Sequence, residues 1–319
     1  MAHKILVLFS IPNCGFTELG SDYEVIFPKG EIISDEEIEQ HIGTTDVIVS
    51  VFGNKLENHI IDKAPHLKLI ANYGVGYDNV DINYAKEKGI VVTNTPDPVT
   101  EPTAELAHAL MLAVARQVGL LNSKVRTNEG VTMGVMKNLS TTLTGKTLGI
   151  IGLGAIGKAT ARRAIASGMH VVYNKRTPLD SAEEQELNVS YMDLEDLLQQ
   201  SDVVSLHTPL NDDTNGMIGD AEFQLMKNTA YIVNTARGPV IDENALMNAL
   251  QNNLIAGAGL DVYWNEPEIP QALLKFDNTV LTPHVGTATL DTREEMSILV
   301  SEIIKMFFNK NLKQYIVNG

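Results

Sequence analysis

Thr147-Leu148-Gly149-Ile150-Ile151-Gly152-Leu153-Gly154-Ala155-Ile156-Gly157 is the stretch that decides the fold. Its apolar run, Thr147–Ile151, is bounded by Gly145 and Gly152, which predicts a short buried strand. Gly152, Gly154 and Gly157 then spell G-x-G-x-x-G. The first glycine permits the tight turn from strand to helix, the second lets a pyrophosphate approach the backbone, and the third lets helix and strand pack closely. A helix is expected over about residues 155–167, ended by Gly168, with a second strand over 169–173. Ala155 and Ile156 open that helix, whose free N–H groups would point at phosphate.

The residues after the second strand speak to which dinucleotide binds. An Asp or Glu there would bond a ribose 2′-hydroxyl. This chain has Asn174, Lys175, Arg176 and Thr177 instead. Two adjacent cations would attract a 2′-phosphate, and an Arg can grip one with two parallel hydrogen bonds. The expectation is therefore NADP in preference to NAD, with NAD still possible.

The background makes those cations stand out. The 319 residues carry 24 Lys and Arg against 40 Asp and Glu, a net charge of −16. Such a chain is not expected to bind nucleic acid or an anionic membrane nonspecifically, and an anionic substrate needs a local positive site. The length suggests two domains. Cys14 is the single cysteine, so no intramolecular disulfide can form, which fits a reducing cytoplasm. The apolar run at Ile5–Phe9 is too short for a signal peptide, and no stretch approaches the roughly 20 apolar residues of a membrane span.

Strands and helices alternate along the chain. Strands are expected at 5–9, 23–27, 46–52, 67–71 and 90–93, and helices at 34–41 (capped by Ser34), 56–64 and 82–88. Asn94-Thr95-Pro96-Asp97-Pro98 is a break and a candidate hinge. Residues 103–117 read as a helix apolar on most faces, to be buried between domains or against another subunit. Residues 122–144 give no assignment. A second run follows, with strands at 202–206, 230–234, 256–262 and 280–282, and helices at 193–199, 242–252 and 289–308. Residues 314–317 read as a strand returning to the first domain. Alternation of this kind predicts an α/β fold of two Rossmann-like, doubly wound parallel sheets. Ligands in such folds sit beyond the carboxyl ends of the strands, so an interdomain cleft is the expected active site.

Three strand-end segments of the second run carry Arg237, Glu266 and His284. Hydride transfer to a 2-oxo acid needs a cation for the carboxylate, a general acid for the carbonyl oxygen, and a group that keeps that acid charged. Arg237 suits the first role and His284 the second. Glu266 suits the third, because a carboxylate beside an imidazole favours the imidazolium. His207 also ends a strand before a proline, and is a competing histidine.

With these segments in view, the chain resembles the D-isomer-specific 2-hydroxyacid dehydrogenase family, most clearly from Asn72 to about Thr292. The resemblance rests on Asn72–Asp81, Gly152–Gly157, His207-Thr208-Pro209-Leu210, Asn234-Thr235-Ala236-Arg237-Gly238, Leu260-Asp261-Val262 with Glu266-Pro267, and Pro283-His284-Val285-Gly286. Asn72–Asp81 and Asn174–Thr177 look most like the glyoxylate/hydroxypyruvate reductase branch. The resemblance implies that Arg237 binds the substrate carboxylate and keto oxygen, and that His284 is the acid–base, partnered by Glu266. It implies backbone amides near Val75 and Gly76 as further carboxylate donors. Thr103 and Thr235 would lie near the cofactor, Ala236 and Asp261 at its nicotinamide end, and His207 and Pro209 beside the adenosine. No metal is implied.

It further implies a substrate domain of residues 1–98 plus 286–319, and a dinucleotide domain, 99–285, inserted within it. Long helices at about 103–119 and 289–308 would connect the two, and a homodimer would form through the inserted domain. Two departures stand out: residues 129–138 lack a Trp that many members carry, and Pro102 follows Glu101 where Ala or Thr is commoner. The competing readings are a formate or phosphonate dehydrogenase relative and a dinucleotide-sensing, corepressor-like protein. Formate oxidation moves no proton, so the Glu266–His284 pair argues for a ketone or aldehyde substrate.

Overall fold

The computed structural model describes residues 2–128 and 132–319. The chain divides into two compact units, one of residues up to Val99 together with Thr287–Gly319, the other of Thr100–Gly286.

The first unit holds five parallel strands: β1 (His3–Val7), β2 (Tyr23–Ile26), β3 (Val47–Val51), β4 (Leu69–Tyr73) and β5 (Val91–Thr93). Their order, β2-β1-β3-β4-β5, is that of a flavodoxin-like sheet. Every residue of β3 and β4 is buried, as expected of strands covered on both faces. Met296, Val300 and Ile304 of the helix Leu290–Phe308 pack on one face, against Val49, Ala71 and Tyr73. The opposite face meets the short helices Asn58–Asp62 and Ile82–Glu87 through Ile61 and Ala85. Ser34 caps the helix Asp35–His41 in a reciprocal capping box with Glu37. The strand expected at 314–317 is reduced to one antiparallel bridge, Thr93 to Ile316, beside a bond from the Val317 amide to the Val92 carbonyl.

The second unit holds seven parallel strands: β6 (Thr147–Ile151), β7 (His170–Asn174), β8 (Ser190–Tyr191), β9 (Val203–Leu206), β10 (Tyr231–Asn234), β11 (Gly257–Leu260) and β12 (Thr279–Leu281). They run in the order β12-β11-β10-β9-β6-β7-β8. Counted from β6, this is the 3-2-1-4-5-6 dinucleotide-binding order with one strand added at the far edge. The order reverses between β6 and β9, so a ligand is expected beyond their carboxyl ends.

The apolar helix of this unit differs from expectation in two ways. It runs Thr100–Ala115 and ends, Gln117 takes a left-handed conformation (φ 55°), and a separate helix, Val118–Thr127, continues at 62°. The continuous helix over 103–119 is thus two. Its apolar character is also largely accounted for within the unit. Ala107, Leu110, Met111 and Val114 are buried in a core with Leu148, Ile150 and Val233. Gly257 and Gly259 let it lie directly on β11, since a Cβ at either would come within 3.1 Å of Val114 or Leu110. Leu112, Val118 and Val125 remain exposed. Pro102 sits in the helix's first turn, where its missing N–H costs no hydrogen bond. No single helix among the described residues is long and apolar enough to cross a membrane.

Candidate active site

The fingerprint glycines separate into two kinds. Gly152 has φ 95°, and a Cβ there would lie 2.7 Å from the His207 carbonyl group at the end of β9. A Cβ at Gly157 would lie 2.4 Å from the Gly152 oxygen. These two are required by packing. Gly154 is different: a Cβ there meets nothing within 4 Å. It caps the helix Ala155–Ala166 and borders open space in front of the helix amides, including those of Ala155 and Ile156, which is where a pyrophosphate would come.

The neighbouring strand ends supply a second sign of a ligand. His207 Nε2 pairs with Ser205 Oγ at 2.9 Å, but its Nδ1 is buried without a partner. Thr208 Oγ1 and Thr235 Oγ1 are likewise buried and unsatisfied. Buried polar atoms are rarely left so; His207 and Thr208 follow β9, at the point where the sheet order reverses, and Thr235 follows its neighbour β10. These residues fit a bound dinucleotide. Burial pushes the His207 imidazolium down to about 4, so this histidine is neutral near pH 7. Pro209 is exposed beyond it.

At the end of β7, Asn174 turns its amide NH2 to the Met192 carbonyl (2.9 Å), so part of this side chain serves the fold. Lys175 is half-buried, and Arg176 and Thr177 are exposed. Lys158, in the fingerprint helix, pairs with Glu183.

The three chemical residues are brought together by hydrogen bonds and close backbone contacts. Asn234, buried at the end of β10, accepts the Ala236 amide (2.9 Å) and donates to the Arg237 carbonyl (2.8 Å), clamping the turn that carries Arg237. Gly238 then lies against the 263–264 backbone so closely that a Cβ would be 2.1 Å from the Tyr263 carbonyl carbon. The Tyr263 amide donates to Glu266 Oε1 (3.0 Å), and Glu266 Oε2 lies 2.6 Å from His284 Nδ1. Burial works against ionisation of Glu266. The hydrogen bond and charge of His284, the Tyr263 amide and the charge of Arg237 outweigh it and hold the carboxyl below its ordinary range.

Asp261 positions the segment that bears the histidine. It is buried, and accepts from Thr282 Oγ1 (2.6 Å), the Val285 amide (2.8 Å) and the Gly286 amide (2.9 Å). Burial raises its carboxyl above the usual range despite these donors. His284 itself sits at φ 53°, a left-handed conformation uncommon outside glycine and concentrated at functional positions. Thr103 is buried against the same segment, 3.5 Å from where a Gly286 Cβ would stand.

In the first unit, the carbonyls around Val75 are all drawn inward. Gly74 O accepts the Thr95 amide (3.0 Å), Val75 O accepts Asn94 Nδ2 (2.8 Å) and Gly76 O accepts Asn72 Nδ2 (2.7 Å). A trans peptide sets N–H opposite C=O, so the amides of Val75 and Gly76 face the other way, as anion donors must. Buried Asn72 also accepts from Ser50 and Asn79. The anchoring asparagines, Asn72, Asn94 and Asn234, carried no assigned role in the sequence; an Asn at or just beyond a strand end, ahead of a turn, is the signal that marks them.

Residues 108–286 match the family model described as "D-isomer specific 2-hydroxyacid dehydrogenase, NAD binding domain". The chain belongs to the D-isomer-specific 2-hydroxyacid dehydrogenase family. It is an NAD(P)-dependent oxidoreductase of that family, and its relatives agree along the full length. It is 41% identical to a glyoxylate reductase of Thermococcus litoralis, over 100% of this chain and 97% of that one. An NADPH-dependent glyoxylate/hydroxypyruvate reductase from Sinorhizobium meliloti, solved with NADP and malonate, superposes with a TM-score of 0.88 at 34% identity, covering 99% and 97%. The D-lactate dehydrogenase of Aquifex aeolicus, solved with NAD and lactic acid, gives 0.86 at 28% identity, covering 99% of each chain. The family thus includes solved members with either dinucleotide. Part of the Trp-less 129–138 segment lies outside the described residues; within it, Met133 and Met136 are exposed.

Proposed function

We propose that this dehydrogenase reduces small 2-oxo acids, glyoxylate and hydroxypyruvate foremost, to 2-hydroxy acids, of D configuration wherever the product is chiral, with NADPH as the preferred donor. The observation that carries the reading is the 2.6 Å pair between Glu266 and His284, set beside Arg237. Arg237 holds the substrate carboxylate and keto oxygen, and the amides of Val75 and Gly76 bind the carboxylate as well. His284 uses Nδ1 to engage Glu266, which fixes ring orientation and leaves Nε2 as the nitrogen that passes a proton to the carbonyl oxygen. Asp261 keeps His284 in place through the backbone of 285–286. The bound dinucleotide supplies the hydride. The amides at Gly154–Gly157 would hold its phosphates, His207 and Pro209 would flank its adenosine, Ala236 and Asp261 would contact its nicotinamide end, and Thr103 and Thr235 would also line the cofactor site.

The preference for NADPH is supported by Lys175 and Arg176, which follow β7 where no carboxylate stands. The same reading includes a cytoplasmic homodimer, supported by the single Cys14 and by the exposed apolar residues Leu112, Val118, Val125 and Met136 of the second unit.

The test is oxidation of NADPH and NADH, side by side, with glyoxylate, hydroxypyruvate and a branched 2-oxo acid. Fast NADPH oxidation with the two small acids is expected. Oxidation of neither cofactor, in protein shown to bind dinucleotide, would overturn the reading in favour of a sensor or a different hydride donor.

A further inference from the structure

A cation in the first unit is left unused by the chemistry above. Arg293 lies in the first turns of the helix Leu290–Phe308, half-buried, with its guanidinium carbon 4.9 Å from the centre of the Phe52 ring. Its carbonyl accepts the buried Tyr73 hydroxyl at 2.5 Å, which ties this turn of helix to the end of β4. Among the described residues no carboxylate pairs with Arg293, although the chain has 40 acidic residues and the partly buried Lys158 and Arg163 have such partners. Burial pulls the guanidinium below its ordinary value even though the Tyr73 hydroxyl beside it works the other way, so the charge is held partly out of water with no carboxylate against it. That arrangement is costly unless an anion completes it.

The surroundings say where the anion belongs. Phe52, under the guanidinium, also packs directly against Gly74: a Cβ there would be 2.9 Å from Phe52 Cβ and Cδ1. Gly74 begins the segment whose carbonyls are drawn inward by Asn72, Asn94 and Thr95, turning the amides of Val75 and Gly76 outward. One ring therefore separates a cation that no carboxylate pairs among the described residues from a pair of outward amides. We propose that Arg293 is a positioning residue for substrate: through Phe52 it backs the Val75–Gly76 amides with a fixed positive charge, and so sets the affinity of this segment for the carboxylate of a 2-oxo acid. The inference rests on the proposed role of those amides in binding carboxylate. Arg293 contributes to holding the anion and not to proton or hydride transfer, so its removal weakens substrate binding far more than it slows the bound complex.

The test uses the full chain with Arg293→Met, Arg293→Gln and Arg293→Lys. Loss of one unit charge at this range in a partly screened site raises the KM for glyoxylate on the order of tenfold in the Met and Gln variants. In those variants kcat and the KM for NADPH stay within about threefold of the parent, and Lys, which keeps the charge, recovers most of the affinity. Gln keeps a planar hydrogen-bonding head, and decides the matter if Met does not fold. Oxalate, titrated calorimetrically into the NADP-loaded protein, gives the same answer without turnover: its Kd should weaken in parallel with KM. An unchanged oxalate Kd and glyoxylate KM in a folded Arg293→Gln variant would overturn the proposal. So would equal damage in Lys and Gln, which would mark a packing role. Failure of the parent to reduce any 2-oxo acid while it still binds oxalate through Arg293 would instead count against the proposed reaction alone.

Discussion

Gly238→Ala is the sharpest perturbation the structure offers, because it adds a single methyl and leaves every chemical group in place. The methyl would fall 2.1 Å from the Tyr263 carbonyl carbon, 2.2 Å from its oxygen and 2.7 Å from the Trp264 amide, where ordinary contact begins near 3.4 Å. All three atoms are backbone, so no side chain can swing away, and the two segments must part by about an ångström. Gly238 does not have a positive φ, so crowding alone is at work. One segment carries Arg237 through the Asn234 clamp, and the other carries Glu266 through the Tyr263 amide. The separation thus acts on the spacing between Arg237 and the Glu266–His284 pair. A misplacement of that size costs roughly 100-fold in kcat/KM. Overpacking costs about 1–3 kcal/mol of stability, or several degrees in Tm for a domain of this size. The assay is steady-state oxidation of NADPH with glyoxylate, with NADPH affinity measured separately by fluorescence. NADPH binding should survive, because the fingerprint lies on other strands. A Gly238→Ala variant with parental kcat/KM would refute the claim that this contact sets the geometry of the site.

Three further outcomes are expected. Glu266→Gln replaces a charge-assisted hydrogen bond to His284 with a neutral one, so kcat should fall roughly 10- to 100-fold while the Kd for NADPH holds; an unchanged kcat would show that the pair is structural. Neutral residues at Lys175 and Arg176, with Asn174→Asp, should weaken NADPH and favour NADH; unaltered relative affinities would place the 2′-phosphate elsewhere. Asp202 is held below its ordinary 3.8: burial pushes it up, but the Thr147 amide (2.9 Å) and Lys227 (3.0 Å) outweigh that. Its stabilisation is therefore present above pH 3.8 and lost as pH falls through the lower native value, so Asp202→Asn should be less stable than the parent at pH 7 by chemical denaturation, and the gap should close only in acid.

The parts of this molecule legible in its sequence are those whose causes are local. The fingerprint is one, because a strand, a turn glycine and a capped helix are specified within a dozen residues, and Gly152 and Gly157 are crowded as their roles require. Arg237, Glu266 and His284 stand out by residue type at strand ends. What joins them is not local. Asp261 meets Val285 and Gly286 about two dozen residues later, and Gly238 meets Tyr263, so these contacts exist only once β10, β11 and β12 are in register. Two helices that escaped the sequence reading have a different reason. The helices Val118–Thr127 and Ser181–Leu187 bury none of their residues, so neither shows the apolar stripe that reveals a helix. The second is held by Asp180, which caps it by accepting the Ala182 and Glu183 amides. Residues 314–317 are apolar enough for a strand, but make only one bridge at the sheet edge.

The most direct test of the account is the reduction of hydroxypyruvate by NADPH in the parent and in His284→Ala, with the configuration of the product determined. The account predicts D-glycerate from the parent, and a loss of about 100- to 10,000-fold in kcat in the variant with NADPH binding intact. Formation of the L-isomer, or a His284→Ala variant that turns over at the parental rate, would contradict it.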